Sequence, residues 1–154
     1  HVRLFPLAPR ERLAASLSAG DLHVVTMRDG LEGLIVPSKF YGILATARPT
    51  LFIGPRTDTI AQTVSAVGCG LAFDNGDVSG VTEAITRLAS SREDARLMGQ
   101  RGRIHLETEL TRTRAIDRYE QSLALAARAG RSRRAPCPTA NTYRGAGAGR
   151  EATA

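Results

Sequence analysis

Glu32, Ser38 and Lys39 stand within one short stretch, Glu32-Gly33-Leu34-Ile35-Val36-Pro37-Ser38-Lys39. Ser38 and Lys39, at the start of a helix, suit the binding of an anion. Ser38 precedes Phe40, Ile43, Leu44 and Ala47, whose i, i+3, i+4, i+7 spacing predicts a short amphipathic helix. The serine is placed to act as N-cap, its hydroxyl accepting from a first-turn N–H. Free N–H groups, the positive end of the helix dipole and a lysine one residue inside together offer a place for phosphate. A plainer account also fits: Ser38 caps a structural helix and Lys39 is solvated. Pro49 ends the pattern and starts a strand, Thr50 to Gly54.

The elements around this stretch alternate. His1 to Leu7 reads as a strand, Arg10 to Ala19 as a helix closed by Gly20, and Asp21 to Met27 as a second strand. Helices are expected over 59–67, 78–89, 91–110 and 111–127, with a further strand over 68–73. Thr57 or Asp58 would cap the 59–67 helix, and Asp74-Asn75-Gly76-Asp77 reads as a turn. Val81, Ile85 and Leu88 share one face of the 78–89 helix, while Ala95, Met98 and Leu106 are the apolar members of the next. Ile116, Tyr119, Leu123 and Ala126 follow in the last. Strand and helix in this rhythm predict an α/β fold, a parallel sheet with helices on both faces. Ligands of such sheets bind beyond the carboxyl ends of the strands. The connection from Arg28 to Lys39 leaves such an end and exceeds the usual length of about two to six residues, which points to function.

Composition narrows the classes. The chain has 154 residues, 42% of them hydrophobic, and a net charge of +6, enough for one domain with a core. No apolar run approaches the roughly 20 residues of a membrane span. Five of the six net charges fall in residues 128–154, through Arg128, Arg131, Arg133, Arg134, Arg144 and Arg150 against Glu151. Residues 1–127 are therefore nearly neutral, which argues against nucleic acid as a partner. The remainder, 128–154, lacks periodicity and reads as a disordered Arg/Gly/Ala-rich tail. Cys69 and Cys137 form neither a metal spacing nor a disulfide framework. His23 belongs to a strand pattern and His105 to a charged helical stretch, so neither forms a catalytic set with its neighbours.

Pro37-Ser38-Lys39-Phe40-Tyr41-Gly42-Ile43-Leu44-Ala45, followed by Arg48-Pro49 and an apolar strand, resembles the donor-site segment of GT-B glycosyltransferases. The likeness is to the retaining group around sucrose synthase, and within it to bacterial exopolysaccharide (colanic-acid-type) transferases. Gly76-Asp77 and Met98-Gly99-Gln100-Arg101-Gly102-Arg103 resemble two later segments of that family, so the likeness runs from about Val2 to about Tyr119. Two positions depart from it. Ala47 stands where glycine is usual, and Gly42 where a ribose-binding glutamate commonly stands. Glu32 lies two residues farther from Pro49 than in the commoner pattern.

The resemblance implies that residues 1–127 are part of a GT-B C-terminal nucleotide-sugar-binding domain with a Rossmann-like sheet. Glu32 would meet the donor hexose, Gly33, Leu34, Ser38 and Lys39 the diphosphate, and Tyr41 and Gly42 would lie near the ribose. The substrate would be a nucleotide-sugar, with no cofactor and no metal. A glycan or lipid-linked acceptor would bind an N-terminal domain that also supplies the family's catalytic histidine, and no catalytic residue is assigned here. The implied setting is exopolysaccharide or envelope synthesis in the cytoplasm, with peripheral contact at the inner face of the membrane. This chain by itself is expected to be inactive or nearly so. Two alternatives stand beside this reading: a non-catalytic remnant or interaction module of the same fold, and a GT-B sugar-nucleotide epimerase.

Overall fold

Strand formation concentrates where β-branched and large apolar residues run together. A computed structural model describes residues 2–132 and contains three such strands, β1 (His23–Thr26), β2 (Thr50–Ile53) and β3 (Gly70–Phe73). They pair in parallel and in chain order, His23 opposite Thr50 and Thr50 opposite Gly70. A 3₁₀ turn (Arg10–Arg12) leads into α1 (Leu13–Ser18), followed by α2 (Lys39–Ala45), α3 (Thr59–Val67), α4 (Val78–Ser90), α5 (Arg92–Glu109) and α6 (Arg112–Ser132). The architecture is α/β, a three-stranded parallel open sheet.

Period-2 alternation along the strands separates two layers. On one face Val25, Phe52 and Ala72 meet Phe40, Ile43 and Leu44 of α2 and Ile60, Ala61 and Val64 of α3. On the other, Leu51, Leu71 and Phe73 meet Ala84 and Leu88 of α4, with Ala95 and Met98 of α5 alongside. Helices therefore cover both faces, as the sequence implies. Phe52, Leu51 and Leu44 are fully buried, each contributing about 1.5–3 kcal/mol by removal from water.

α5 reaches from the second layer to the first through its glycines. A Cβ on Gly99 would stand 1.9 Å from the Ala47 carbonyl oxygen, and one on Gly102 2.8 Å from Leu44 Cδ2 and 3.1 Å from Cys69 Cβ. Arg103 donates to the carbonyl of Ala45 at the end of α2 and pairs with Glu107. The Met98–Arg103 segment is thus a close-approach and capping device.

Several expectations are corrected. Residues 2–9 form no strand: Leu4, Phe5 and Leu7 are at least 81% exposed, and Pro6 and Pro9 lack the N–H that a ladder needs. α1 closes on Ala19 in a right-handed conformation rather than on Gly20. Ala47 lies beyond α2, in the left-handed region at φ 53°. On α4 the buried pair is Ala84 and Leu88, whereas Ile85 is 43% exposed. Helix continues past residue 127 as far as Ser132, and the disordered tail expected beyond it lies outside the described residues.

The chain divides into a unit of residues 1–114 and a second from Ala115 onward. In the second, Ile116, Tyr119 and Leu123 of α6 are exposed. Among the described residues, no helix is long and apolar enough to cross a membrane.

Candidate functional site

The carboxyl ends of the three strands open onto three loops. β1 leads into residues 27–38, β2 into Gly54–Asp58 and β3 into Asp74–Asp77. Gly54 fits here because a Cβ would press on Met27, 2.9 Å from its carbonyl oxygen. Asn75 joins two of the loops: its side-chain amide donates to the Met27 carbonyl (3.0 Å) and to Asp29 Oδ1 (2.9 Å). Arg56 and Asp74 stand 3.5 Å apart across the second and third. The sequence marks Asn75 only as a turn residue, because an Asp-Asn-Gly-Asp run carries no sign of the loop it meets 48 positions away.

The long first loop turns twice through left-handed glycines, Gly30 (φ 82°) and Gly33 (φ 75°). Both have open space where a Cβ would stand, so backbone conformation alone explains them. Glu32 is half-buried within the second turn, which the Leu34 N–H closes on the Leu31 carbonyl at 3.1 Å. Leu34, Ile35 and Val36 follow as an exposed apolar run, 75%, 48% and 57% accessible. The sequence gives no sign that these three consecutive apolar side chains are left exposed.

Ser38 occupies the N-cap position of α2, but its hydroxyl makes no capping hydrogen bond. The reason is its backbone, which is already helical at φ −60°, ψ −22°; a capping side chain needs the extended conformation to swing back over the first turn. Phe40 N–H instead bonds the Pro37 carbonyl at 3.0 Å. Lys39 is exposed at the first helical residue. α2 has seven residues, so its dipole is that of a short helix. Tyr41 is partly exposed and packs edge-on against Phe40, ring centres 5.9 Å apart.

Gly42 has a packing role. A Cβ there would meet Leu17 Cδ1 at 2.9 Å, so the direction in which a longer side chain would leave this position is occupied by α1. The absent side chain lets α1 approach α2.

Asp58, Asp77 and His23 make structural contacts. Asp58 is buried and caps α3, accepting from Ile60 N–H at 2.8 Å. Asp77 caps α4 through Gly80 N–H at 2.9 Å, preceded by left-handed Gly76. The Gly-Asp pair is therefore a turn followed by a cap. His23 donates from Nε2 to the Leu17 carbonyl at 2.8 Å, tying β1 to α1. Among the described residues, no group of three or more His, Cys, Asp and Glu is arranged to hold a metal ion.

The loops at the carboxyl edge thus bring Glu32, Gly33, Leu34, Ser38, Lys39 and Tyr41 onto one connection and its helix start. That connection carries exposed Lys39 beside the exposed Leu34-Ile35-Val36 run. Comparison of the chain with protein-family models, with curated proteins and with solved structures finds no match.

Proposed function

We propose that the chain binds the nucleotide-sugar donor of a GT-B glycosyltransferase at the carboxyl edge of its parallel sheet. The observation that carries this reading is the long connection after β1, which holds the Pro37-Ser38-Lys39 segment where an open parallel sheet presents its ligands. The resemblance of that segment to the family's donor site supplies the ligand class. In this reading Ser38 and Lys39 meet the diphosphate, Glu32 the hexose hydroxyls, and Gly33 and Leu34 offer backbone to the phosphate region. Tyr41 lies beside the ribose.

Transfer of the sugar needs stabilisation of the departing diphosphate in a site shielded from water. Lys39 is exposed, so these residues supply binding and orientation, and turnover requires an acceptor domain closing over them. The proposal therefore assigns donor binding to this chain and activity to the chain together with such a domain. The exposed Leu34-Ile35-Val36 run favours one second reading, a non-catalytic interaction module that uses the same loop to hold a protein.

Calorimetric or NMR titration with UDP, GDP and their sugar conjugates tests the proposal. Binding that weakens about tenfold in both Lys39→Ala and Ser38→Ala is expected, the cost of one charged or polar contact to phosphate. A folded chain that binds none of them at millimolar concentration overturns the donor reading. Measurable transfer by the chain alone would overturn the need for a second domain.

A further inference from the structure

A second candidate site lies at the opposite, amino-terminal end of the sheet. There a cavity of about 430 Å³ opens between the starts of β1 and β2 on one side and α4 and α5 on the other. Its volume falls within the span of small-ligand sites, roughly 300–1,000 Å³. Leu22, Pro49, Ile85 and Leu88 supply its apolar wall. Pro49 and Leu88 are buried, whereas Ile85 turns an accessible face to the opening. Three arginines line the same cavity, Arg48, Arg92 and Arg96.

Their charges are unequally engaged. Arg96 is held by Glu93 through two hydrogen bonds, 2.6 and 2.8 Å, which keep the Glu93 carboxyl below its ordinary range. Arg48 donates to the Ser18 carbonyl at 3.3 Å and stands 3.8 Å from Asp21, whose carboxylate is almost wholly exposed. The Arg92 side chain has no hydrogen-bond or ion-pair partner among the described residues. The cavity thus combines an apolar wall with a loosely held guanidinium and an unengaged one, and the acids available leave one positive charge over.

We infer that this cavity binds a small amphiphilic anion, an alkyl or aryl group carrying a single phosphate or carboxylate. The apolar portion would lie against Ile85 and Leu88 and the oxyanion would be taken by Arg92, with Arg48 free to exchange its long contact to Asp21 for it. Arginine suits this role because its planar fork pairs with two oxygens of one oxyanion. An apolar ligand without charge would leave Arg92 unpaired, and a bare anion would leave the wall wet. The site does not rest on the donor reading, since it uses other residues at the other end of the strands.

The test is an NMR titration of the full chain with octyl phosphate below its micellar range, beside octanoate, octanol and inorganic phosphate. Arg92→Gln and the cavity-filling Ala89→Phe are the variants; both change exposed side chains, and circular dichroism verifies their folding. Octyl phosphate or octanoate should shift resonances of Leu22, Ile85, Ala89 and Arg92. Octanol and inorganic phosphate should each bind at least about tenfold more weakly, and Arg92→Gln should cost about tenfold. Ala89→Phe should abolish binding. Equal affinity in wild type and Arg92→Gln, shifts centred elsewhere, or no binding to the folded chain would overturn the assignment. Inorganic phosphate matching octyl phosphate would overturn it as well, reducing the site to an arginine surface. Loss of nucleotide binding in Lys39→Ala with octyl phosphate binding intact would separate this site from the donor site.

Discussion

Ala47 holds a backbone conformation that glycine adopts freely and alanine resists. At φ 53° it is the one non-glycine residue among those described with a positive φ, a position at which an L side chain costs about 1–2 kcal/mol. Relief of that cost, less the greater freedom of glycine in the unfolded chain, sets the expectation for Ala47→Gly: a gain of about 0.5–1 kcal/mol in urea unfolding. Cys69 makes a different residue-scale prediction. Burial pushes its thiol up to about 11, against a smaller lowering by a backbone hydrogen bond. The unfolded thiol ionises first as pH rises, so this contribution is complete below pH 9 and is lost towards pH 11. Over that interval wild type should lose about 2–3 kcal/mol more than Cys69→Ala, measured by urea unfolding at pH 8.5 and 11. Caps such as Asp58 are legible in sequence because they depend on a residue and its two or three successors. The failure of Ser38 to cap is not, because it depends on the backbone angle at which the loop delivers it.

At the scale of elements, α5 gathers the layers, and its two buried glycines differ in what they face. Gly99 abuts a backbone carbonyl, whereas Gly102 faces the end of the Leu44 side chain and, less closely, Cys69 Cβ. Gly99→Ala should therefore destabilise by about 3 kcal/mol and Gly102→Ala by less, about 1–2, since a side-chain end can shift by a few tenths of an ångström and a peptide group cannot. Chemical denaturation of the two variants tests the order, and equal losses would contradict it. Positions of β2, α3 and α4 were readable from periodicity and turn residues. The apolar contacts of α5 through Ala95, Met98 and Leu106 were readable as well, but its close approach through Gly99 and Gly102 was not, because a glycine carries no sign of what it abuts. The strand expected over residues 1–7 failed for the converse reason. Apolar residues were present, but Pro6 removes a ladder donor from the middle of the segment.

For the whole molecule, the division of labour between the sheet's two ends matters more than any single residue. The carboxyl end carries one long loop and two short ones, joined through Asn75, the setting proposed for the donor. The amino end carries the short approaches to the strands, the glycine contacts of α5 and the arginine-lined cavity. Sequence drew attention to the first end through loop length. It was silent on the second, because Arg48, Arg92 and Arg96 come from two separated segments and meet only once α4 and α5 are placed. The near-neutral charge of residues 1–127 conceals this local excess of positive charge.

The chain-order pairing of the strands also bears on how the molecule is made. Each strand finds its partner in the one formed immediately before it, across a single intervening helix. No strand must wait for a distant segment to return and fill a gap between its neighbours. The search is therefore short for a parallel sheet, with loop-closure entropy met one crossover at a time. As the chain leaves the ribosome, β1, α2 and β2 can begin to pack while the residues of α5 are still being synthesised. The late arrival of α5, whose glycines seat against turns already made, would then lock the layers together.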